Sequence, residues 1–191
     1  MTKLINLNIE NKEKLVFNKP GDYMVFFHNL SGNYYFDIQS ENVRLNILGI
    51  FTGKGTNVYD LKTFQIHTSP SSTSNLFIKG VFYDSSKLKY NGLIRIEKNA
   101  QKSHAYQKNQ NLMMSKNCFI QSKPYLEILA NDVFCTHGST TGRINKDQLL
   151  YLESRGIEKK DAEKMIANGF VNEIIDLVKQ KFPDFVYQIT E

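Results

Sequence analysis

Between Leu15 and Phe134 this chain of 191 residues offers a succession of short apolar or alternating runs, at residues 23–27, 34–38, 43–50, 63–67, 76–83, 93–97 and 126–129. Gly, Pro, Asn, Asp or Ser bounds each run. That is the pattern of strands separated by turns, because strand side chains alternate between two faces and turn residues supply the backbone angles that end a strand. The first 144 residues are therefore read as β, with Val43, Leu45, Ile47, Leu76, Ile78, Leu126 and Ile128 pointing mainly inward. Two architectures satisfy this reading. A sandwich or barrel would use hairpins with tight turns, and Asn91-Gly92 offers one such turn between flanking runs. A coiled parallel β-helix would stack short rungs and fill its interior with ladders of aliphatic and aromatic residues. No strict short repeat is visible, so periodicity does not choose between them.

The character of the chain changes at residue 145. Asn145 and Gln148 have the spacing of a capping box, and the helix they open is expected to end at Gly156. Ala162, Met165, Ile166 and Gly169 then fall at i, i+3, i+4 and i+7, and Val171, Ile174, Ile175 and Val178 repeat that spacing before Pro183. The pattern predicts two further amphipathic helices. The expected organisation is a β core over residues 1–144 followed by a helical region over residues 145–191.

Cys135 and His137 are the best candidates for chemistry. They stand one residue apart in a stretch read as β, so in an extended strand a thiol and an imidazole share one face. The pair also suits a buried thiol beside a hydrogen-bonded ring. Adding Cys118 would give three of the four ligands of a zinc site, but paired Cys-x-x-Cys knuckles are absent and Cys118 is free to lie on another rung. A transient iron or sulfide site is chemically more natural, since thiolate and imidazole both ligate iron and an incomplete set releases what it holds. His67, beside the Ser/Thr/Pro-rich stretch of residues 68–74, is read as a packing residue at a strand end.

Other chemistries find little support. Gly53-Lys54-Gly55-Thr56 lacks the spacing of a phosphate loop, and neither a Gly-x-Ser-x-Gly elbow nor a His-Glu-x-x-His pair occurs. A β-helix enzyme acting on carbohydrate would need paired carboxylates on one exposed face, and no Asp-x-Asp rung is present. The net charge of +5 is uneven. Residues 146–181 carry seven basic and seven acidic side chains, so the excess lies in the β region. It is read as a lysine-rich surface, with no nucleic acid as partner, because no basic run is interleaved with exposed aromatics. Two cysteines, no secretory leader and no run of transmembrane length lead to the expectation of a cytoplasmic protein with no membrane partner.

Several ordered motifs resemble one family: His67-Thr68-Ser69-Pro70, Ala105-Tyr106-Gln107, Asn111-Leu112-Met113-Met114-Ser115, Pro124-Tyr125-Leu126-Glu127-Ile128, residues 131–142, and Tyr151-Leu152-Glu153-Ser154-Arg155-Gly156-Ile157. Together, over about residues 43–177, they are similar to the SufB/SufD proteins of SUF iron–sulfur cluster assembly. The SufD branch is the nearer, its Asp-Asp-Val-Lys-Cys-Ser-His-Gly-Ala-Thr appearing here as Asn131-Asp132-Val133-Phe134-Cys135-Thr136-His137-Gly138-Ser139-Thr140. Where SufB-type scaffolds tend to carry Glu after the His and Cys before the Leu-Met-Met-Ser run, this chain has Gly138 and Asn109. The longer N-terminal helical region of usual members is not seen before the β runs.

The resemblance implies a right-handed β-helix with C-terminal helices and a non-enzymatic assembly subunit. Its implied partners are a SufB-like subunit or a second identical one, and an ABC-type ATPase docked through residues 145–181. It further implies a transient iron–sulfur cluster or iron at the subunit interface, with Cys135 and His137 as the ligands from this chain and no nucleotide bound here. Two alternatives remain: a homodimeric cluster scaffold without a separate SufB partner, and a non-catalytic β-helix interaction module.

Overall fold

The computed structural model describes residues 2–187; Met1 and the last four residues of the 145–191 region lie outside the described residues. Eleven strands and three helices follow in order: β1 (Lys3–Asn6), α1 (Leu7–Glu10), β2 (Lys14–Phe17), β3 (Gly21–His28), β4 (Gly32–Ile38), β5 (Val43–Gly53), β6 (Val58–His67), β7 (Thr73–Phe82), β8 (Lys87–Ile96), β9 (His104–Met113), β10 (Phe119–Ile128), β11 (Phe134–Arg143), α2 (Lys146–Ser154) and α3 (Lys159–Lys179). Strands alternate between two parallel sheets, a six-stranded one ordered β1-β3-β5-β7-β9-β11 and a five-stranded one ordered β10-β8-β6-β4-β2. The chain thus winds as a β-solenoid, each coil laying one strand on each sheet. This decides between the two architectures in favour of the β-helix.

Register explains why no repeat shows in the sequence. Lys3 pairs with Tyr23, Tyr23 with Leu45, Leu45 with Ser74, Ser74 with Ala105 and Ala105 with Cys135, so successive coils advance by 20, 22, 29, 31 and 30 residues. Stacking needs side chains to align, not coils of one length. The inward positions Val43, Leu45, Ile47, Leu76 and Ile78 are fully buried, as alternation requires. Leu126 departs from expectation at 39 % exposed, and Ile128 is half-buried, because both stand on the last strand of their sheet with no coil beyond them.

Asn91-Gly92 is not a hairpin turn. Both residues lie inside β8, where a Cβ on Gly92 would sit 2.2 Å from Gln107 Nε2 and 2.4 Å from the Tyr90 hydroxyl. Glycine here lets other side chains fill the coil. The helical region also differs from expectation, since the two predicted C-terminal helices are one helix of 21 residues. Gly169 is tolerated within it, and Ala162, Ala167, Val171, Ile174, Ile175 and Val178 form a continuous buried stripe. That stripe covers the outer face of the six-stranded sheet, packing on Met24, Phe26, Leu48, Ile50, Val81 and Leu112. Strands buried on both faces read as near-continuous apolar runs, which accounts for the composition of β5. An ion pair from Lys79 to Glu173, with the Lys79 ammonium 4.3 Å from the Phe170 ring centre, pins the helix at its middle. No helix among the described residues is long and apolar enough to cross a membrane.

Candidate functional site at the open end of the solenoid

The final coil, β10 and β11, closes nothing. Each is a ten-residue strand at the margin of its sheet, with one side unpaired among the described residues. Phe119, Tyr125, Leu126, Leu129 and Phe134 stand 39–64 % exposed on or beside it. Long edge strands with exposed aromatics normally invite pairing, and natural monomers shorten or cover them.

Cys135 and His137 lie on β11 opposite Ala105 and Gln107, both of which point into the coil and are almost wholly buried. The two candidates therefore continue the inward face at the mouth of the solenoid, about 7 Å apart along the strand. Their surroundings differ. Cys135 is half-buried against the apolar cluster of Ile94, Ile96, Ala100, Ala105 and Ala130, and burial pushes its thiol above the ordinary range while a hydrogen bond with the Ala105 backbone opposes the shift. His137 is exposed. Neither hydrogen-bonds to the other, and no group of three or more His, Cys, Asp or Glu side chains able to hold a metal occurs among the described residues. A raised thiol pKa means that a soft metal arriving here must displace a proton.

Cys118 is not part of this site. It is buried just before β10, its thiol donating to the carbonyl oxygens of Phe82 at 3.1 Å and Asp84 at 3.6 Å. Cys135 lies beyond the other end of that strand, about 30 Å along the chain path. His67 ends β6 fully buried, its Nε2 2.8 Å from Ser74 Oγ, and burial holds its imidazole down to about 4. It is a packing residue.

Two features lay beyond the sequence reading. Beneath His137, Ser139 and Thr141 the coil interior turns polar: Gln107, Asn109 and Asn111 are buried, and Gln107 Oε1, Asn109 Nδ2 and Asn111 Oδ1 have no hydrogen-bond partner. Their inward parity on an alternating strand was the available signal. Away from the mouth, α2 and α3 enclose an open groove of about 640 Å³ lined by Tyr151, Leu152, Met165, Ile166, Gly169 and Phe170. No residue of α2 is buried. The faces are apolar in part, but only the meeting of two helices makes a groove of them.

Comparison with known proteins points to one family. Residues 28–170 match the family described as "SUF system FeS cluster assembly, SufBD core domain". The chain is 34 % identical over 157 residues to the iron-sulfur cluster assembly protein SufD of Escherichia coli strain K12, covering 82 % of this chain and 36 % of that protein. Against SufD of Bacillus subtilis strain 168 it is 33 % identical over 127 residues, 66 % of this chain and 29 % of the relative. A SufBD family protein of Synechocystis is 29 % identical over 140 residues, 73 % of this chain and 31 % of that protein. The chain thus spans about a third of the length of these relatives. A parallel solenoid carrying Cys135 and His137 on its last rung, matched to that family model over most of its length, belongs to the SufB/SufD family of iron–sulfur cluster assembly as a SufD-like member.

Proposed function

We propose that this chain is a non-enzymatic subunit of a SUF-type assembly complex. It pairs through the open end of the solenoid with a SufB-like subunit or with a second copy of itself. Iron, or an iron–sulfur cluster in assembly, is the cargo held at that junction, and Cys135 and His137 are this chain's ligands to it. Residues 145–181 dock an ABC-type ATPase, and the chain itself binds no nucleotide. The proposed compartment is the cytoplasm.

The observation that carries the reading is the pairing of an uncapped rung with an incomplete donor set. One thiol and one imidazole cannot complete a four-coordinate iron site, and a partner laid against β10 and β11 would bring the rest. The Cys135 thiol surrenders its proton on binding iron, so loading should release one proton per thiolate formed and should weaken as pH falls. The groove between α2 and α3 supports the docking reading, because an exposed apolar trough between two helices accepts a helix or loop of a partner.

The test is anaerobic iron and sulfide reconstitution of the chain with its SufB-like partner and ATPase. Formation of the complex with Cys135→Ser or His137→Ala present, combined with lowered iron and sulfide content, is the expected result. Normal loading in both variants would leave the pair as mere packing at the mouth. A truncation after Ile144 that still binds the ATPase with unchanged affinity would place docking elsewhere.

A further inference from the structure

The two sheets have unlike outer faces. Helix α3 covers the six-stranded sheet, whereas no helix packs on the outer face of the five-stranded sheet among the described residues. That uncovered face carries much of the basic excess of the chain. Its outward columns read Val58-Lys87-Phe119, Asp60-Lys89-Gln121, Lys62-Asn91-Lys123, Tyr35-Phe64-Leu93-Tyr125 and Asp37-Ile66-Arg95-Glu127 across successive strands.

Internal pairing removes part of the charge and leaves a defined remainder. Lys14 meets Asp37 at 2.8 Å, and Arg95 meets Glu97 at 2.7 Å and Glu127 at 3.5 Å. Lys62, Lys87, Lys89 and Lys123 are all exposed and none forms an ion pair among the described residues. Asp60 is the single uncommitted carboxylate among them. Lys87 and Lys89 are about 7 Å apart on β8, and Lys62 and Lys123 flank that strand one sheet spacing away on either side. The sheet fixes the four lysine backbones as neighbours, so their ammonium groups share one region of positive potential. Val58 at 58 %, Phe119 at 47 % and Tyr125 at 51 % exposure rim the patch with apolar surface.

We propose that this face docks an acidic segment of a partner protein, one that sets carboxylates over the four lysines and apolar side chains on the rim. The geometry favours such a segment over single-stranded nucleic acid. Tyr35 and Phe64 stack on each other, ring centres 4.5 Å apart and planes 7° apart, so each turns one ring face to its neighbour and not to solvent. A nucleic-acid platform needs ring faces turned to solvent for bases to stack on. The face shares strand β10 with the solenoid mouth and is separate from the α2/α3 groove, and the inference does not depend on the role proposed for either.

The experiment is a titration of the full chain against a fluorescein-labelled peptide of alternating Glu and Leu, read by anisotropy. A Lys/Leu peptide and a labelled oligothymidylate serve as comparators. Lys87→Glu with Lys89→Glu should weaken the acidic peptide about tenfold, and Lys3→Glu with Lys102→Glu, equally exposed but off that sheet, should change it by less than about twofold. Binding should fall with added salt. Circular dichroism checks that both variants remain folded. No binding to the unaltered chain, equal loss in the two variants, or tighter binding of the oligothymidylate than of the acidic peptide would each overturn the proposal.

Discussion

The two ends of the solenoid solve the same problem in opposite ways. At the N-terminal end the edge strands β1 and β2 are four residues long. Helix α1 closes that end, burying Leu7 to 2 % exposure. The Asn8 side chain continues where β1 stops, donating to the His28 carbonyl and accepting from the His28 N–H, both at 2.7 Å. At the C-terminal end the edges are ten residues long, the interior is polar, and three of its amide atoms lack partners. Short, capped edges suit contact with water, and long, uncapped ones suit another chain. The difference teaches that the strand edges are short and covered at one end and long and open at the other, which is the arrangement that the proposed pairing requires.

The largest expected effect separates the ends by stability. Leu7→Ala should destabilise the isolated chain by about 3 kcal/mol, the usual range for a buried leucine. Leu126→Ala, at the mouth, should cost under about 1 kcal/mol because much of its surface is already wet. Urea unfolding measures both, and equal values would break the contrast. In the complex the order should change, with Leu126→Ala weakening subunit pairing and Leu7→Ala leaving it intact.

Acid sharpens the comparison next. Burial holds His67 at about 4 against its ordinary 6.5, and His28, near the cap, is lowered to a similar value by the same cause. The fold favours the neutral rings, so between these values the unfolded chain binds more protons. Stability should be whole above about pH 6.5 and decline as pH falls toward 4, with the fully buried His67 contributing about 3 kcal/mol. His67→Asn should flatten that limb in unfolding curves taken between pH 7 and pH 4. An unchanged slope would show that the ring is not the titrating group.

A smaller effect belongs to the helical groove. Met165→Glu, placing a charge on a half-exposed wall residue, should lower ATPase affinity about tenfold in calorimetry while leaving the melting temperature of the chain nearly unchanged. The smallest shift in stability, under about 0.5 kcal/mol, is expected for Cys135→Ser. Iron and sulfide reconstituted in the complex should nevertheless drop by half or more. Cys118→Ser should leave that content unchanged, since a hydroxyl there can donate to the same two carbonyls.

Strand positions were legible because alternation is local: Val43, Leu45 and Ile47 are buried wherever β5 finds a sheet. The face shared by Cys135 and His137 was legible for the same reason. What alternation does not encode is the neighbour beyond the strand. Leu126 has the pattern of a core residue and is exposed because its coil is the last one. Asn91-Gly92 carries a hairpin signature, yet Gly92 answers to Gln107 fifteen residues on. The spacing gave two stripes, one ending at Gly169 and one starting at Val171, but the sheet beneath α3 rewards one uninterrupted stripe, and tertiary burial outweighs a glycine cost of about 1 kcal/mol. The basic face of the five-stranded sheet was invisible for a related reason: Lys62, Lys89 and Lys123 are scattered in sequence and become neighbours only through register.

Unequal coils also have a kinetic meaning. Each strand pairs with one no more than 32 residues away, as Phe119 does with Lys87, so every rung can be laid down as soon as the next stretch of chain is available. Along these residues, a chain emerging from the ribosome would finish the coils of β1 to β4 before those of β8 to β11, and each completed rung would template its successor. Growth would then proceed in one direction and halt at β11 with its template still exposed. In the proposed pairing a second subunit would meet the same surface that a further rung would have met, so docking would repeat the last step of folding.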